Sequence, residues 1–293
     1  MSLPSDVTIF NLGSNSLKIL KVVDGVVSKR AVVTRLGEGD PHTLTEGAIK
    51  RTLDAISANL GEIVGQVYAF ATEAVRSATN RDDLLIPISQ MLGVEVEVLS
   101  GADEARYGYL GASMGRSVVV IDVGGASTEI SEGVEVGDSR ISVPLGAQRL
   151  KATYGEDSVA LENIGRQTAE NINLSSADGV VCIGGTITTL TSAILGQSSY
   201  DASQVHGARL TTFGLRVILD DLARLGDSER VERYPTMLGR ESVIVSAGYY
   251  LVGILEGLGR GEIEVSVLDV TEGYLFAKSG YMQKNFVFRQ KNS

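Results

Sequence analysis

Two stretches of this chain repeat one another, and that repetition constrains the fold more than any single motif does. The first reads IFNLGSNSLKI, Ile9 to Ile19, and the second IDVGGASTEI, Ile121 to Ile130. Each is a β-branched, apolar strand that empties into glycine and small polar residues and then returns to strand-like alternation. Laid over one another, Asn11 falls on Asp122, Gly13 on Gly124, Ser14 on Gly125, Ser16 on Ser127 and Lys18 on Glu129. Two copies of a strand–turn–strand unit predict two similar lobes. Turns facing each other over a cleft would grip a run of phosphates from both sides.

Glycine lets a backbone approach a ligand closely and adopt φ values that other residues resist, so Gly124 and Gly125 can aim main-chain N–H groups at an anion. Ser127 and Thr128 add hydroxyl donors. Asp122 and Glu129 flank the same turn, one suited to holding a cation and the other to activating water. A lone turn of this kind reads equally well as an ordinary strand connection. The second copy shifts the weight toward a phosphate site.

The chain of 293 residues is long enough for two domains, and its 43% hydrophobic and 21% charged residues place it among globular proteins. A formal charge of −10 argues against a nucleic-acid surface, which relies on clustered Lys and Arg. Any phosphorylated substrate must be met locally. No apolar run approaches the roughly 20 residues that span a bilayer, and MSLPSDV lacks a signal pattern, so no membrane association and a cytoplasmic location are expected. A single cysteine, Cys182, in an apolar run reads as a core residue, and two histidines without a cysteine cluster speak against zinc.

Taken in order, Val7 to Val33 reads as three strands, with Asp24-Gly25 as a tight hairpin turn. A helix capped by Thr43 or Thr45 runs to Gly61, a strand follows at Gln66 to Ala71, and ATEAVRSATN leads into a helix start. Arg76 there either faces solvent from a helix or forks onto phosphate oxygens. Helix Arg81 to Leu92 and strand Val94 to Leu99 precede SGADEARYGYLGA, a helix capped by Ser100 or Asp103 with Glu104 in its first turn, where an acid also suits the helix dipole. The domain boundary falls near Arg116, giving lobes over residues 1–116 and 117–293. The second lobe repeats the order with strands at 128–132 and 135–143, then SVPLGAQRL, which offers Arg149 to phosphate, and a helix over Leu161 to Ile172. Gly179 to Ile183 is a buried strand followed by GGTITTL, where Gly184, Gly185 and Thr186 open a helix whose N-terminus suits an anion. Helices over 211–225 and 240–258, a strand at 263–267 and a helix over 271–278 close the chain, with Tyr249 and Tyr250 read as packing.

The segments FNLGSNSLKIL, TRLGEG, ATEAVRSATN, LSGADEARYGYLG, VIDVGGASTEI, SVPLGAQRL, IGGTITTL and QVHGARLT, in this order, resemble the exopolyphosphatase and guanosine pentaphosphate phosphatase (Ppx/GppA) family in its short form. The resemblance covers about Val7 to Lys278. It implies the actin, hexokinase and Hsp70 superfold: an α/β protein of two ribonuclease-H-like lobes, each a mixed five-stranded sheet with flanking helices, facing across a cleft. The terminal helix is expected to pack back on the first lobe. The implied activity is Mg²⁺-dependent hydrolysis of a terminal phosphoanhydride in polyphosphate or in guanosine penta- or tetraphosphate. On that pattern Glu104 and Glu129 orient or deprotonate the attacking water. Asp122 holds Mg²⁺, with Glu129 and Asn11 beside it. Gly13, Ser14, Asn15, Ser16, Gly124, Gly125, Ala126 and Ser127 bind phosphate with Arg76, and a homodimer is expected.

Two departures carry consequences. Asn11 stands where the family has Asp, and a neutral amide weakens the expected hold on Mg²⁺. Ala126 stands where a third glycine is usual, which requires its φ to stay negative. Besides the phosphohydrolase, two other classes fit the sequence: a catalytically weak sensor of polyphosphate or nucleotide, favoured by Asn11, and an ATP-dependent kinase of the same superfold. The Glu104 and Glu129 segments favour water over a kinase acceptor.

Overall fold

The apolar alternation of Val7 to Val33 folds as three antiparallel strands in the structure, a computed structural model that describes residues 6–133, 139–174 and 178–279. These are β1 (Val7–Leu12), β2 (Ser16–Val23) and β3 (Val26–Val33). Asp24 and Gly25, at φ +49° and +78°, form the turn between the last two, as a two-residue hairpin with positive φ at both central positions requires. β4 (Gln66–Ala71) and β5 (Val96–Val98) add on in parallel, giving the order β3-β2-β1-β4-β5.

The second sheet contains β6 (Val119–Val123), β7 (Thr128–Ser131), β8 (Arg140–Val143), β9 (Val180–Ile183), β10 (Arg209–Thr211) and β11 (Glu262–Val265). Its order, β8-β7-β6-β9-β11-β10, repeats that of the first sheet strand for strand and adds one short antiparallel edge strand, β10. The expected five strands are present, with a sixth beside them. The strand expected over 135–143 is represented by β8, and residues 135–138 of it lie outside the described residues.

Helices cover both sheets: α1 (Glu46–Ser57), α2 (Glu73–Ser77), α3 (Asp82–Leu92) and α4 (Gly101–Ser113), then α5 (Ala147–Tyr154), α6 (Ser158–Glu170), α7 (Gly184–Ile194) and α8 (Ala202–Val205). The last four are α9 (Thr212–Leu222), α10 (Asp227–Arg233), α11 (Ile244–Gly257) and α12 (Val270–Ser279). Thr45 and Ser100 cap α1 and α4 with their side chains, as the sequence suggests. α11 is buried on every side and packs on α6 so closely that a Cβ at Gly165 would lie 2.3 Å from the Tyr250 carbonyl oxygen.

Two helices cross between the sheets. α4, which precedes Arg116 and so falls within residues 1–116, lies against β6, β7 and β8 of the second sheet. α12 lies against α4 and β1 in return, and its Tyr274 stacks on Phe70 of β4 with ring centroids 4.5 Å apart. The terminal helix thus packs on the first lobe. Cys182 is a buried core residue, its thiol pushed far up by burial.

Candidate active site

The two glycine turns are built alike. In β1 and β2, Asn11 pairs with Lys18 and Leu12 with Leu17, and the Gly13 N–H donates to the Ser16 carbonyl at 3.2 Å. In β6 and β7, Asp122 pairs with Glu129 and Val123 with Thr128, and the Gly124 N–H donates to the Ser127 carbonyl at 2.9 Å. The register matches the overlay of the two segments position by position. The turns also meet: a Cβ on Gly125 would lie 2.8 Å from the Ser14 Cβ and 3.3 Å from the Asn15 nitrogen. Gly125 has no side chain because the opposing turn occupies that space.

The outer ends of the turns are braced. Ala147 and Gln148 at the start of α5 donate to the Gly124 and Gly125 carbonyls, both at 2.8 Å, and Thr34, Arg35 and Gly37 donate to those of Asn15 and Ser14. Among the described residues no main-chain carbonyl accepts from the N–H groups of Ser14, Asn15, Gly125 or Ala126. Such unpaired amides converging on a cleft form a concave site for an anion. The open N-terminus of α7 adds to it, with Gly184 and Gly185 on the cleft wall and no side-chain cap. Both glycines make room for cleft side chains: a Cβ on Gly184, at φ +84°, would lie 2.1 Å from Asp122 Oδ1, and one on Gly185 would lie 1.9 Å from Arg240 Nη2.

Three acids gather at one side. Asp122 and Glu129 are cross-strand neighbours, and Glu104 reaches in from the first turn of α4. Burial pushes the Glu104 carboxyl up to about 7, against the pull of Arg76 and with a further push from Asp122. Burial likewise raises Asp122 to about 6. Glu129, 4% exposed, is raised well above the usual carboxylate range by burial and by the charges of Glu104 and Asp122. The Ser142 hydroxyl donates to Glu129 Oε1 at 2.7 Å and orients it.

Asp122 Oδ1 and Asn11 Oδ1 are both buried without a hydrogen-bond partner. Among the described residues no group of three or more His, Cys, Asp or Glu is arranged to hold a metal ion. That donor set suits Mg²⁺, which takes one or two protein oxygens and completes its shell with water and phosphate. It does not suit zinc.

Gly13, Ser14, Asn15, Ser16, Gly124, Gly125, Ser127, Gly184, Gly185, Asp122, Asn11 and Glu104 all line the cleft. Four predicted phosphate ligands do not. Ala126 keeps a negative φ and packs its methyl into the first-lobe core, so only its N–H remains for an anion. The Thr186 hydroxyl donates to the Val123 carbonyl at 2.8 Å and braces the strand end. Arg76 pairs with Glu73 at 2.5 Å and Glu104 at 3.2 Å, and Arg149 pairs with the same Glu73 at 2.9 Å. Both arginines lie one layer back and hold acids rather than facing the cleft.

Sequence reading missed Lys18, Arg240 and the pair Asp269 and Thr271. Lys18 lines the cleft and pairs with Asp269 at 2.7 Å, while Asn11 Nδ2 donates to Thr271 Oγ1 at 2.9 Å. The internal overlay held the signal for Lys18, because Lys18 falls on Glu129 there and pairs with Asn11 as Glu129 pairs with Asp122. Arg240 carries no such mark.

Residues 19–282 match the model of the Ppx/GppA phosphatase family. Exopolyphosphatase 1 of Mycobacterium leprae is 29% identical over 308 residues, covering 92% of this chain and 88% of that one. Exopolyphosphatase 2 of Mycobacterium tuberculosis is 28% identical over 316 residues, covering 94% and 98%. The Ppx/GppA enzyme of Aquifex aeolicus, 28% identical, superposes with a TM-score of 0.77 over 94% of this chain and 100% of that one. An exopolyphosphatase from Cytophaga hutchinsonii, 22% identical, shares the fold with a TM-score of 0.81 over 94% of this chain and 98% of that one.

Proposed function

The chain belongs to the Ppx/GppA phosphatase family, and from the cleft we propose that it removes terminal orthophosphate from polyphosphate, and from guanosine pentaphosphate, by attack of water. The observation that carries this is the contact of Gly125 with Ser14 and Asn15, which sets two amide-lined turns face to face beside Glu104 and Asp122, with Glu129 buried behind them as the cross-strand partner of Asp122. A phosphoryl group in transfer spreads charge over its oxygens, so fixed donors around it lower the barrier more than covalent steps do.

The roles divide by chemistry. The amides of Ser14, Asn15, Gly125 and Ala126 hold the terminal phosphate, and Asn15 Nδ2, a buried donor without a partner, adds a side-chain contact. Glu104 takes a proton from water, since its carboxyl ionises near neutrality and Arg76 favours its charged form. Glu129 orients the same water from a position that Ser142 fixes. Asp122 and Asn11 would hold Mg²⁺, which when bound neutralises phosphate charge at this wall.

Phosphate release from long-chain polyphosphate, guanosine pentaphosphate and ATP, with and without Mg²⁺, tests the proposal. Metal-dependent release from the first two is expected. Tight binding of either without release would replace hydrolysis by sensing.

A further inference from the structure

We infer that Glu73 is a positioning residue of the reaction: its carboxylate joins an arginine from each lobe and fixes the guanidinium of Arg76 against Glu104. The inference rests on the hydrolytic reading and adds to it a residue that never touches the substrate. Local chain geometry puts Glu73 there. β4 ends at Ala71, Thr72 stays extended, and α2 begins at Glu73. Helical spacing then sets Arg76 and Ser77, three and four residues on, against the Glu73 side chain. Thr72 lines the cleft, and Glu73 beside it is buried.

The two oxygens of that carboxylate serve different lobes. Oε2 accepts from Arg76 Nη2 at 2.5 Å, while Oε1 accepts from the Ser77 hydroxyl at 2.6 Å and from Arg149 Nη1 at 2.9 Å. Arg76 belongs to α2 in the first lobe and Arg149 to α5 in the second. Burial pushes the Glu73 carboxyl up, but the Ser77 hydroxyl and the two guanidiniums more than offset it and hold the group below the usual carboxylate value. An amide in its place would offer one acceptor oxygen and turn N–H donors toward the other arginine. Satisfying both lobes at once therefore takes a carboxylate.

Arg76 reaches the reacting acid with its other nitrogen. Nη1 donates to the Leu99 carbonyl at 2.5 Å and to Glu104 Oε2 at 3.2 Å. The Leu99 contact alone would let the guanidinium turn, and the second anchor at Nη2 fixes its plane. Of the charged groups that act on Glu104, Arg76 from α2 is cationic, whereas Glu73 from α2, Asp122 from β6 and Glu129 from β7 are anionic. Displacing the guanidinium would remove the attraction and leave the repulsion. The same spot also supports Glu129. A Cβ on Gly101, in the first turn of α4, would lie 2.6 Å from Ser142 Oγ and 3.8 Å from Arg76 Nη2, and Ser142 is the hydroxyl that orients Glu129.

Steady-state release of phosphate from long-chain polyphosphate in Mg²⁺ tests the role in the full chain carrying Glu73→Gln, Glu73→Asp or Arg149→Met, with thermal melts to show that each is folded. Glu73→Gln should lower kcat about tenfold and leave KM within about twofold, because the turns that hold phosphate are untouched. Glu73→Asp keeps the charge and should recover part of that loss. Arg149→Met should lower kcat by a smaller factor, and the double variant should be no slower than Glu73→Gln alone, since both changes act through one carboxylate. An unchanged kcat in Glu73→Gln overturns the inference. So does a lower KM, which would mean that Glu73 withholds the two arginines from phosphate. Where Glu73→Gln does not fold, an unchanged kcat in both Glu73→Asp and Arg149→Met overturns it instead. A crystal structure of Glu73→Gln reads the contact independently of rate: Arg76 displaced from Glu104 supports the role, and Arg76 still in place overturns it. A wild type that releases no phosphate would remove the hydrolytic reading, and the crystal structure would still decide the contact.

Discussion

Burial gives Glu104, Asp122 and Glu129 a chemistry that none of them would have at the surface. Each carboxyl titrates above its unfolded value, so each contributes stability that is full below that value and is lost as pH rises through the folded one. For Glu104 the window runs from 4.5 to about 7. A base that must be ionised imposes the same limits on rate, so activity should fall as pH drops through about 7. Arg76→Gln removes the cation that favours ionised Glu104 and should move that limb to higher pH; an unmoved limb would take Glu104 out of the proton transfer. Glu129→Gln removes a charge that the fold resists. It should raise stability at pH 8 by about 1–3 kcal/mol while lowering turnover by about 100-fold or more. Thermal melts beside phosphate-release rates check both halves, and a destabilised variant would contradict the direction of the Glu129 shift. Much of this centre was legible beforehand: the overlay of Ile9–Ile19 on Ile121–Ile130 places Asp122 and Glu129 as neighbours, and the structure pairs them. Arg240 was missed because the sequence reads it as the first residue of the helix over 240–258, whereas α11 begins at Ile244, and its position over Gly185 depends on two segments about 55 residues apart in sequence. The pairing of Arg76 and Arg149 with Glu73 and Glu104 was not legible, because charge type alone does not say whether an arginine faces a ligand or an acid.

The positions of these acids depend on how α4 and α12 cross. A Cβ on Gly111 would lie 2.2 Å from the Asp269 carbonyl oxygen, and one on Gly273 would lie 1.8 Å from that of Tyr107. Backbone meets backbone there, so neither helix can yield by turning a side chain. The same crossing sets Glu104 at one end of α4, and at the start of α12 it sets Thr271 against Asn11 and Asp269 against Lys18. Gly273→Ala should therefore cost about 2 kcal/mol or more and weaken phosphate binding as well. Gly61→Ala, where nothing lies within 4 Å, serves as the control and should leave both unchanged. Chemical denaturation with parallel binding titrations reads the pair, and a Gly273→Ala protein of wild-type stability would refute the tight crossing. Most strand and helix spans follow from alternation and helical spacing, as α3 ending at Leu92 before Gly93 shows, whereas the order of strands within each sheet does not. Which sheet a helix covers does not. The periodicity of Gly101–Ser113 gives it an apolar face, and only the packed structure shows that face against β6, β7 and β8 rather than against the sheet that precedes it in sequence.

At the scale of the whole chain, the crossing helices join two lobes into one folding unit. A single apolar cluster contains Val7, Ile9 and Phe70 of the first sheet together with Ile121, Val180 and Tyr250 of the second lobe. The ion pairs of Lys18 and Lys29 with Asp269 and Glu272 link strands of one sheet to the start of α12. Separating the lobes would expose that cluster and break the ion pairs that Lys18 and Lys29 make with Asp269 and Glu272. Partial unfolding is therefore costly on either side. Calorimetry should record one cooperative transition with matching van 't Hoff and calorimetric enthalpies. A ligand that touches both turns stabilises both lobes at once, so tripolyphosphate at about 100 times its Kd should add about 2.7 kcal/mol to the whole molecule. The single peak should then move upward by a few degrees without splitting. Two peaks, of which the ligand moves one, would mean that the phosphate is held by one lobe alone and that the facing turns do not share it.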